Sequence, residues 1–440
     1  MANILLITHW TGGDVLPFIR LGTILKRVGH KITIFTHCYY RDLALRGNLE
    51  FVAIDTPELF EEMNKDIILL ADPINNTKGT LEFNKKYHGE QRLLFEYKLI
   101  SEHCNENTLI IARHRSSVSG LLVAEKLKIP VASVFLAPNY LDHMVLHNQV
   151  FGKEILQEIN EARRKLELED IWDWKKWLYS PKRYFAFWPR WYAESDEDWP
   201  LNVINIGFVL GNNPEETFDL EITEFLQKNE QVVLITGGSS NMVKQEFYQV
   251  AAKSCEMEDF PALLVTSHDE LVPKHLPESI KRVRQAPLRA LMKKTIAIIH
   301  HGGMGTLSEA IDAGIPQIIL PHLTDGPDNA QRLARLGIAK VFPKAKWDYI
   351  QISKALRETL SVDFKKRCQF YCMQQVEDRK DVSWIRSFEE MVNNERFLID
   401  GYVKKDIEPV KNHKIKELNS LTKQQLLDII QRKLAEEKSD

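Results

Sequence analysis

The stretch from Thr295 to Asn329, TIAIIHHGGMGTLSEAIDAGIPQIILPHLTDGPDN, admits few folds. Thr295 to Ile299 is β-branched and apolar and reads as a short buried strand, while Thr306 to Ala313 holds helix formers and Gly314 stands where a helix stops. Gln317 to Leu320 is strand-like again. The order is strand, tight glycine turn, helix, strand. Gly302, Gly303 and Gly305 leave no side chain over the start of the helix, so its free N–H groups and positive dipole end face open space, a setting that suits a phosphate.

His301, at the end of the strand, adds a side-chain donor at the same spot, and Thr306 offers a hydroxyl from the first turn. Glu309 follows one turn on, an acceptor pair near where a ribose would follow a diphosphate. Each residue alone also has a scaffold reading: Thr306 as a helix cap, Glu309 as a first-turn carboxylate favouring the dipole. The whole set in this order points to a nucleotide. His300 and His301 are successive strand residues on opposite faces, so no metal is expected to join them.

The same logic appears at the start of the chain. Asn3 to Thr8 is strand-like and runs into Thr11-Gly12-Gly13-Asp14, an amphipathic helix that Gly29 should end, and a second strand from Lys31 to Thr36. This is a βαβ opening with a glycine turn at the carboxyl end of its first strand, where open α/β sheets place ligands. Asp14 has two readings there, helix N-cap or general base; carboxylates are ionised at neutral pH and can accept an alcohol proton.

The α/β alternation continues through Phe51 to Ile54, Thr108 to Ala112, Gly120 to Leu127 and Val131 to Leu136. Glu58 to Arg92 is polar and reads as an irregular excursion over an acceptor pocket. The aromatic run WDWKKWLYSPKRYFAFWPRWY is expected to be packing more than a sugar-stacking surface. Asp196-Glu197-Asp198 reads as a solvated acidic turn and not as a metal motif. QVVLITGGSSNM repeats the strand and Gly-Gly pattern, with Gly238-Ser239 at its turn. The expected division is 1–210, 211–400, and a charged helical tail over 401–440 in which Leu421, Leu426, Ile429, Ile430 and Leu434 share roughly one face.

A net charge of −3 over 440 residues argues against bulk attraction to nucleic acid or an anionic membrane. Five scattered cysteines fit a reducing compartment, the N-terminus lacks the basic region of a leader, and no stretch reaches the ~18 apolar residues of a span, so a cytoplasmic protein is expected.

The segment HHGGMGTLSEAIDAGIPQIILPHLTDGPDNAQRLARLG, within Pro287 to Gly337, resembles the donor-binding signature of nucleotide-sugar-dependent glycosyltransferases with the GT-B fold, of the macrolide, glycopeptide and sterol type. The resemblance implies an α/β chain of two facing Rossmann-like domains with a cleft between them, the first for the acceptor and the second for the donor. It implies an inverting transfer of a sugar from a nucleotide sugar to a hydroxyl of a natural product or lipid-like acceptor, with no metal required. His301 would contact the diphosphate, aided by N–H groups of Gly303, Gly305 and Thr306, with Gly238-Ser239 close by and Glu309 on the ribose. Asp325 would read sugar hydroxyls, but Gly326 stands where the family has Gln, and Gln285 where it has the aromatic residue that stacks on the base. GDVLP matches the family's base motif, making Asp14 the base and Gly13, His9 and His143 its acceptor-side neighbours. Short terminal helices like the tail resemble protein-docking segments, so a protein partner is a further expectation. A nucleotide-sugar epimerase and a non-catalytic partner or activator are the competing readings.

Overall fold

A computed structural model describes residues 1–70, 76–142, 144–181, 183–194, 199, 203–210, 217–239, 243–322 and 325–394. His143, the acidic triplet at Asp196, the linker from Gly211 and the 401–440 tail lie outside the described residues.

Two all-parallel sheets carry the chain. The first contains β1 (Asn3–Ile7), β2 (Lys31–Thr36), β3 (Glu50–Ala53), β4 (Thr108–Arg113), β5 (Val131–Phe135), β6 (Arg183–Ala186) and β7 (Val203–Asn205), in the order β3-β2-β1-β4-β5-β6-β7. The second contains β8 (Val233–Thr236), β9 (Ala262–Val265), β10 (Ile280–Val283), β11 (Ala297–His300), β12 (Gln317–Ile319) and β13 (Ala339–Val341), in the order β10-β9-β8-β11-β12-β13. Helices cover both faces, and for that reason central strands such as NILLI and VLIT are apolar runs buried at every position. In the first sheet Ile4 lies in register with Ile32 and Leu109, and in the second Ile299 with Ile235 and Ile318.

Where the sequence leads one to expect an irregular excursion from Glu58 to Arg92, the structure has helices at Pro57–Asp66, Thr77–His88 and Glu90–Ser101. Thr56 Oγ1 caps the first by accepting from the Leu59 N–H at 3.3 Å, and Pro57 sits in its first turn. Met63 and Ile67, and Phe83 and Tyr87, are spaced four apart and bury one another in a satellite core. So few apolar positions give a weak periodic signal, which the mutual burial of two short segments makes good.

The aromatic run is packing. Trp174, Trp177 and Trp188 are fully buried, and Trp188, Tyr192 and Phe208 form one apolar cluster with Leu307, Ile311 and Leu333 of the second sheet's helices. Trp172 is exposed, with Lys176 Nζ 4.3 Å from its ring centre. The helix Trp384–Asn394 returns to the first sheet: Phe388 stacks on Phe185 at 4.1 Å and shares a core with Ile4, Leu6 and Ile34.

Candidate active site

In each sheet the strand order reverses once, and an open α/β sheet leaves a crevice at that point beyond the strands' carboxyl ends. In the first sheet the reversal falls between β1 and β4, in the second between β8 and β11. The turns that leave β1, β8 and β11, and the helices they start, carry most of the residues singled out above. The two crevices abut: a Cβ built on Gly12, after β1, would stand 3.4 Å from Ser239 Oγ, after β8.

After β11 the chain turns through Gly302, at φ +93°, into the Met304–Ala313 helix, whose N-cap is Gly303 and which Gly314 ends at φ +67°. No side chain caps this helix, so its first-turn N–H groups are left to whatever enters the crevice. His301 sits between two glycines. A Cβ on Gly238 (φ +83°) would lie 2.6 Å from its Cε1 and one on Gly303 2.5 Å from its Nε2, so the ring fits only because both positions lack side chains. Burial, and secondarily His322, pushes the His301 pKa down to about 4, which leaves a neutral imidazole at pH 7, and its Nδ1 is buried without a partner among the described residues. Around Gly305 nothing lies within 4 Å of where a Cβ would be. Thr306 is buried in the first turn.

Glu309 faces the other domain, where Arg20 Nη2 donates to its Oε1 at 2.6 Å. Asp325 precedes the Gly326–Arg335 helix, and its Oδ2 accepts from Asn329 Nδ2 at 2.8 Å. The same Asn329 amide donates to the Gly302 carbonyl at 2.9 Å, and its Oδ1 accepts from the Tyr192 hydroxyl at 2.7 Å, so one buried amide joins Asp325 to the glycine turn. At Gly326 a Cβ would stand 2.8 Å from the His301 carbonyl oxygen. The close backbone approach there has no room for a larger residue. Gln285 is exposed just past β10, beside Arg284, which pairs with Asp269.

On the first sheet's side, Asp14 is not the N-cap. Thr11 is, and Asp14, three residues on, closes a capping box in which its Oδ2 accepts from the Thr11 N–H at 3.2 Å and the Thr11 hydroxyl at 3.1 Å. Its Oδ1 meets Arg113 Nη2 at 2.8 Å. Gly13 lies in the same turn, with only Thr11 Oγ1 within 4 Å of its Cβ position. His9 is not beside this carboxylate. Its Nε2 is 3.0 Å from Glu96 Oε2 and its Nδ1 3.3 Å from Ser117 Oγ, both buried, and it lines a small pocket with His37, His88 and Asp55. The side-chain direction set by β1 turns it under the sheet's other flank, which spacing alone does not reveal.

Arg113, Arg20 and Asn329 have no motif to announce them. Arg113 is nonetheless the last residue of a buried strand, a position where a charged side chain needs a reason. Among the described residues no three His, Cys, Asp or Glu groups gather in a way that would hold a metal ion.

Two family models match the chain, the glycosyltransferase family 28 N-terminal domain over residues 4–146 and the C-terminal domain of erythromycin biosynthesis protein CIII-like proteins over 261–368. The first covers the Asp14 crevice and the second the His301 crevice. The chain belongs to the GT-B glycosyltransferases. Its relatives in this family include an O-mycaminosyltylonolide 6-deoxyallosyltransferase of Streptomyces fradiae, 25% identical over 82% of this chain and 90% of that one. They also include a sterol 3-beta-glucosyltransferase of Saccharomyces cerevisiae, 22% identical over 77% of this chain. The chain spans only 31% of the length of that yeast relative. In fold it is similar to the solved glycosyltransferase of kitacinnamycin, with a TM-score of 0.68 at 17% identity over 88% of this chain and 98% of that one. It is also similar to a Streptomyces glycosyltransferase, SsfS6, complexed with thymidine diphosphate, with a TM-score of 0.59 at 17% identity over 89% of this chain and all of that one.

Proposed function

We propose that this GT-B chain is an inverting glycosyltransferase that moves a sugar from a nucleoside diphosphate sugar to a hydroxyl of a small natural product or lipid-like acceptor. Residues 1–210 serve the acceptor and 211–400 the donor. The observation that supports this reading best is the meeting of the two crevices, with a carboxylate on one wall and an uncapped helix start beside a neutral imidazole on the other. A diphosphate suits the second wall and an alcohol the first. The activities named for the relatives, a deoxyallosyltransferase and a sterol glucosyltransferase, and the thymidine diphosphate of a similar structure favour the same chemistry.

In this mechanism Asp14, oriented by Arg113 and Thr11, takes the proton from the acceptor hydroxyl as its oxygen attacks the anomeric carbon from the face opposite the nucleotide. The new C–O bond forms as the bond to the diphosphate breaks, and the diphosphate leaves with the electron pair. The N–H groups around Gly303, Gly305 and Thr306, the helix dipole and His301 meet the charge gathering on the leaving oxygens. A neutral imidazole donates one N–H there without itself being a proton source. Glu309 and Asp325 hold ribose and sugar hydroxyls.

The test is a thermal-shift panel of UDP, dTDP, GDP and their sugars, since a ligand at 100 times its dissociation constant stabilises by about 2.7 kcal/mol. A nucleotide-selective shift that disappears in His301→Ala, followed by donor turnover that depends on an added alcohol, is the expected result. Failure of every nucleotide to shift the protein overturns the reading.

A further inference from the structure

The carboxyl end of β4 presents two arginines to the acceptor side of the cleft, and the proposed reaction uses only one. Arg113 is engaged: it pairs with Asp14 at 2.8 Å and donates from Nη1 to Ser116 Oγ at 2.7 Å, although its buried Nε has no partner among the described residues. Arg115 is different. Its guanidinium carbon lies 5.5 Å from the centre of the Tyr140 ring, the same ring that Arg113 faces at 5.5 Å, and no carboxylate or hydrogen-bond acceptor contacts it among the described residues. The groups around it are Arg113, Tyr140 and Tyr179, with Asp14 further off and already paired. His147, which also faces it, is held neutral by burial. Two guanidinium charges thus share one carboxylate in contact.

The backbone at Arg115 is left-handed, at φ +70°. A residue with a Cβ is strained in this conformation, and glycine would avoid it. Arg115 is partly exposed, and its charge has no counter-ion in contact among the described residues to offset the hydration it loses. A strained, under-compensated arginine stacked on an aromatic ring beside the base is the arrangement that a planar oxyanion completes, since the guanidinium fork matches a carboxylate in two parallel hydrogen bonds.

We infer that Arg115, stacked on Tyr140, binds a carboxylate on the acceptor, so that the substrate class of this site is hydroxylated acids and not neutral alcohols. The carboxylate sets the acceptor's register, which brings a hydroxyl elsewhere on the same molecule to Asp14. The inference rests on the acceptor assignment proposed above and adds the charge of the molecule that occupies it.

The test uses the full chain with 4-hydroxybenzoate and its methyl ester as probes, titrated by calorimetry and by ligand-observed NMR. The acid is expected to bind about tenfold tighter than the ester, as a charge-assisted bidentate contact implies. Arg115→Gly should abolish that advantage while leaving the melting temperature equal or higher, because glycine suits the left-handed backbone. Arg115→Lys should keep part of the advantage. A merely structural arginine would give the opposite pattern, loss of stability with no change in acid preference. Equal binding of acid and ester, an acid preference that survives Arg115→Gly, or no binding of the acid overturns the inference. The dTDP and UDP shifts, read on the same samples, report the donor site separately, so a protein that binds nucleotides but ignores the carboxylate refutes the acid preference alone.

Discussion

Arg20 and Glu309, 289 residues apart in the chain, meet across the cleft at 2.6 Å with their side chains only 18% and 11% exposed. The contact links the first helix of one sheet to the helix that starts at the phosphate crevice of the other. A carboxylate proposed to hold a ribose is therefore already tethered, with lone pairs left over for hydroxyls. Removing either partner leaves a largely buried charge. In urea unfolding, Arg20→Ala and Glu309→Gln should each destabilise, and the double variant should fall short of their sum by roughly 1 kcal/mol or more. Strict additivity would mean the pair does not hold the two halves together.

The glycines of the turn have separable duties. Gly303→Ala puts a methyl 2.5 Å from the His301 ring and should lower both melting temperature and nucleotide affinity. Gly305→Ala meets no neighbour within 4 Å and lies inside the helix, so stability should hold or rise by about 0.5–1 kcal/mol. Its methyl nonetheless enters the space proposed for the diphosphate. A Gly305→Ala protein that melts no lower yet loses its nucleotide shift would separate the two duties; unchanged nucleotide affinity would remove the crevice from the donor site.

Asp14→Asn keeps the size of the side chain and an oxygen for the Thr11 N–H, so the fold should survive. Transfer to an alcohol should fall by about 10²–10⁴-fold, the usual worth of a positioned base, with the nucleotide shift preserved. Single-turnover rates in donor excess make the comparison, and a rate within a few-fold of the parent would displace Asp14 from its role.

Buried histidines set an acid limit on stability. Burial lowers the pKa values of His88, His114 and His300 to about 3 and that of His301 to about 4, against ~6.5 for an unfolded histidine. Between those values the unfolded chain binds the extra protons, so stability is complete above about pH 6.5 and drains as the pH falls toward 3, each histidine contributing roughly 1.4 kcal/mol per pH unit. Glu96, held at about 2 despite its burial by His9 and then by Arg92 and Ser119, adds a loss in the same direction at lower pH. Denaturant midpoints from pH 8 to 5 should be flat and then fall with a slope steeper than one proton. The His114 ring lies tilted against Phe135, 4.5 Å between centres, with neither ring nitrogen partnered among the described residues, so His114→Phe should make that slope shallower at little cost. An unchanged slope would place the titration elsewhere.

Much of this site was legible because its signals are local. The strand, the glycines after it and the Gly314 stop lie within one supersecondary unit, and the left-handed φ at Gly302 and Gly314 matches the backbone requirement those glycines state. Asp14 was legible as a cleft residue but not as the partner of Arg113, because that pair depends on β1 and β4 being neighbours, a fact of strand order. The same holds for Arg20 with Glu309 and for Asn329 under Asp325. His9 is hard to place for the opposite reason: two residues past a buried strand, its direction follows from the pleat and not from its distance to Asp14 in sequence. The helices Pro57–Asp66 and Thr77–His88 are not legible because four apolar side chains there are buried against one another rather than against a sheet.

The helix Trp384–Asn394 lays Trp384, Ile385, Phe388 and Met391 over the same core as Ile4, Leu6 and Phe18. A ribosome delivers those side chains hundreds of residues after the strand they cover. During synthesis the second sheet can close while the first still lacks part of its lining. The amino-terminal half, made first, is thus finished last, and a nascent chain stalled short of residue 384 would offer chaperones an open apolar face on the half that was made earliest.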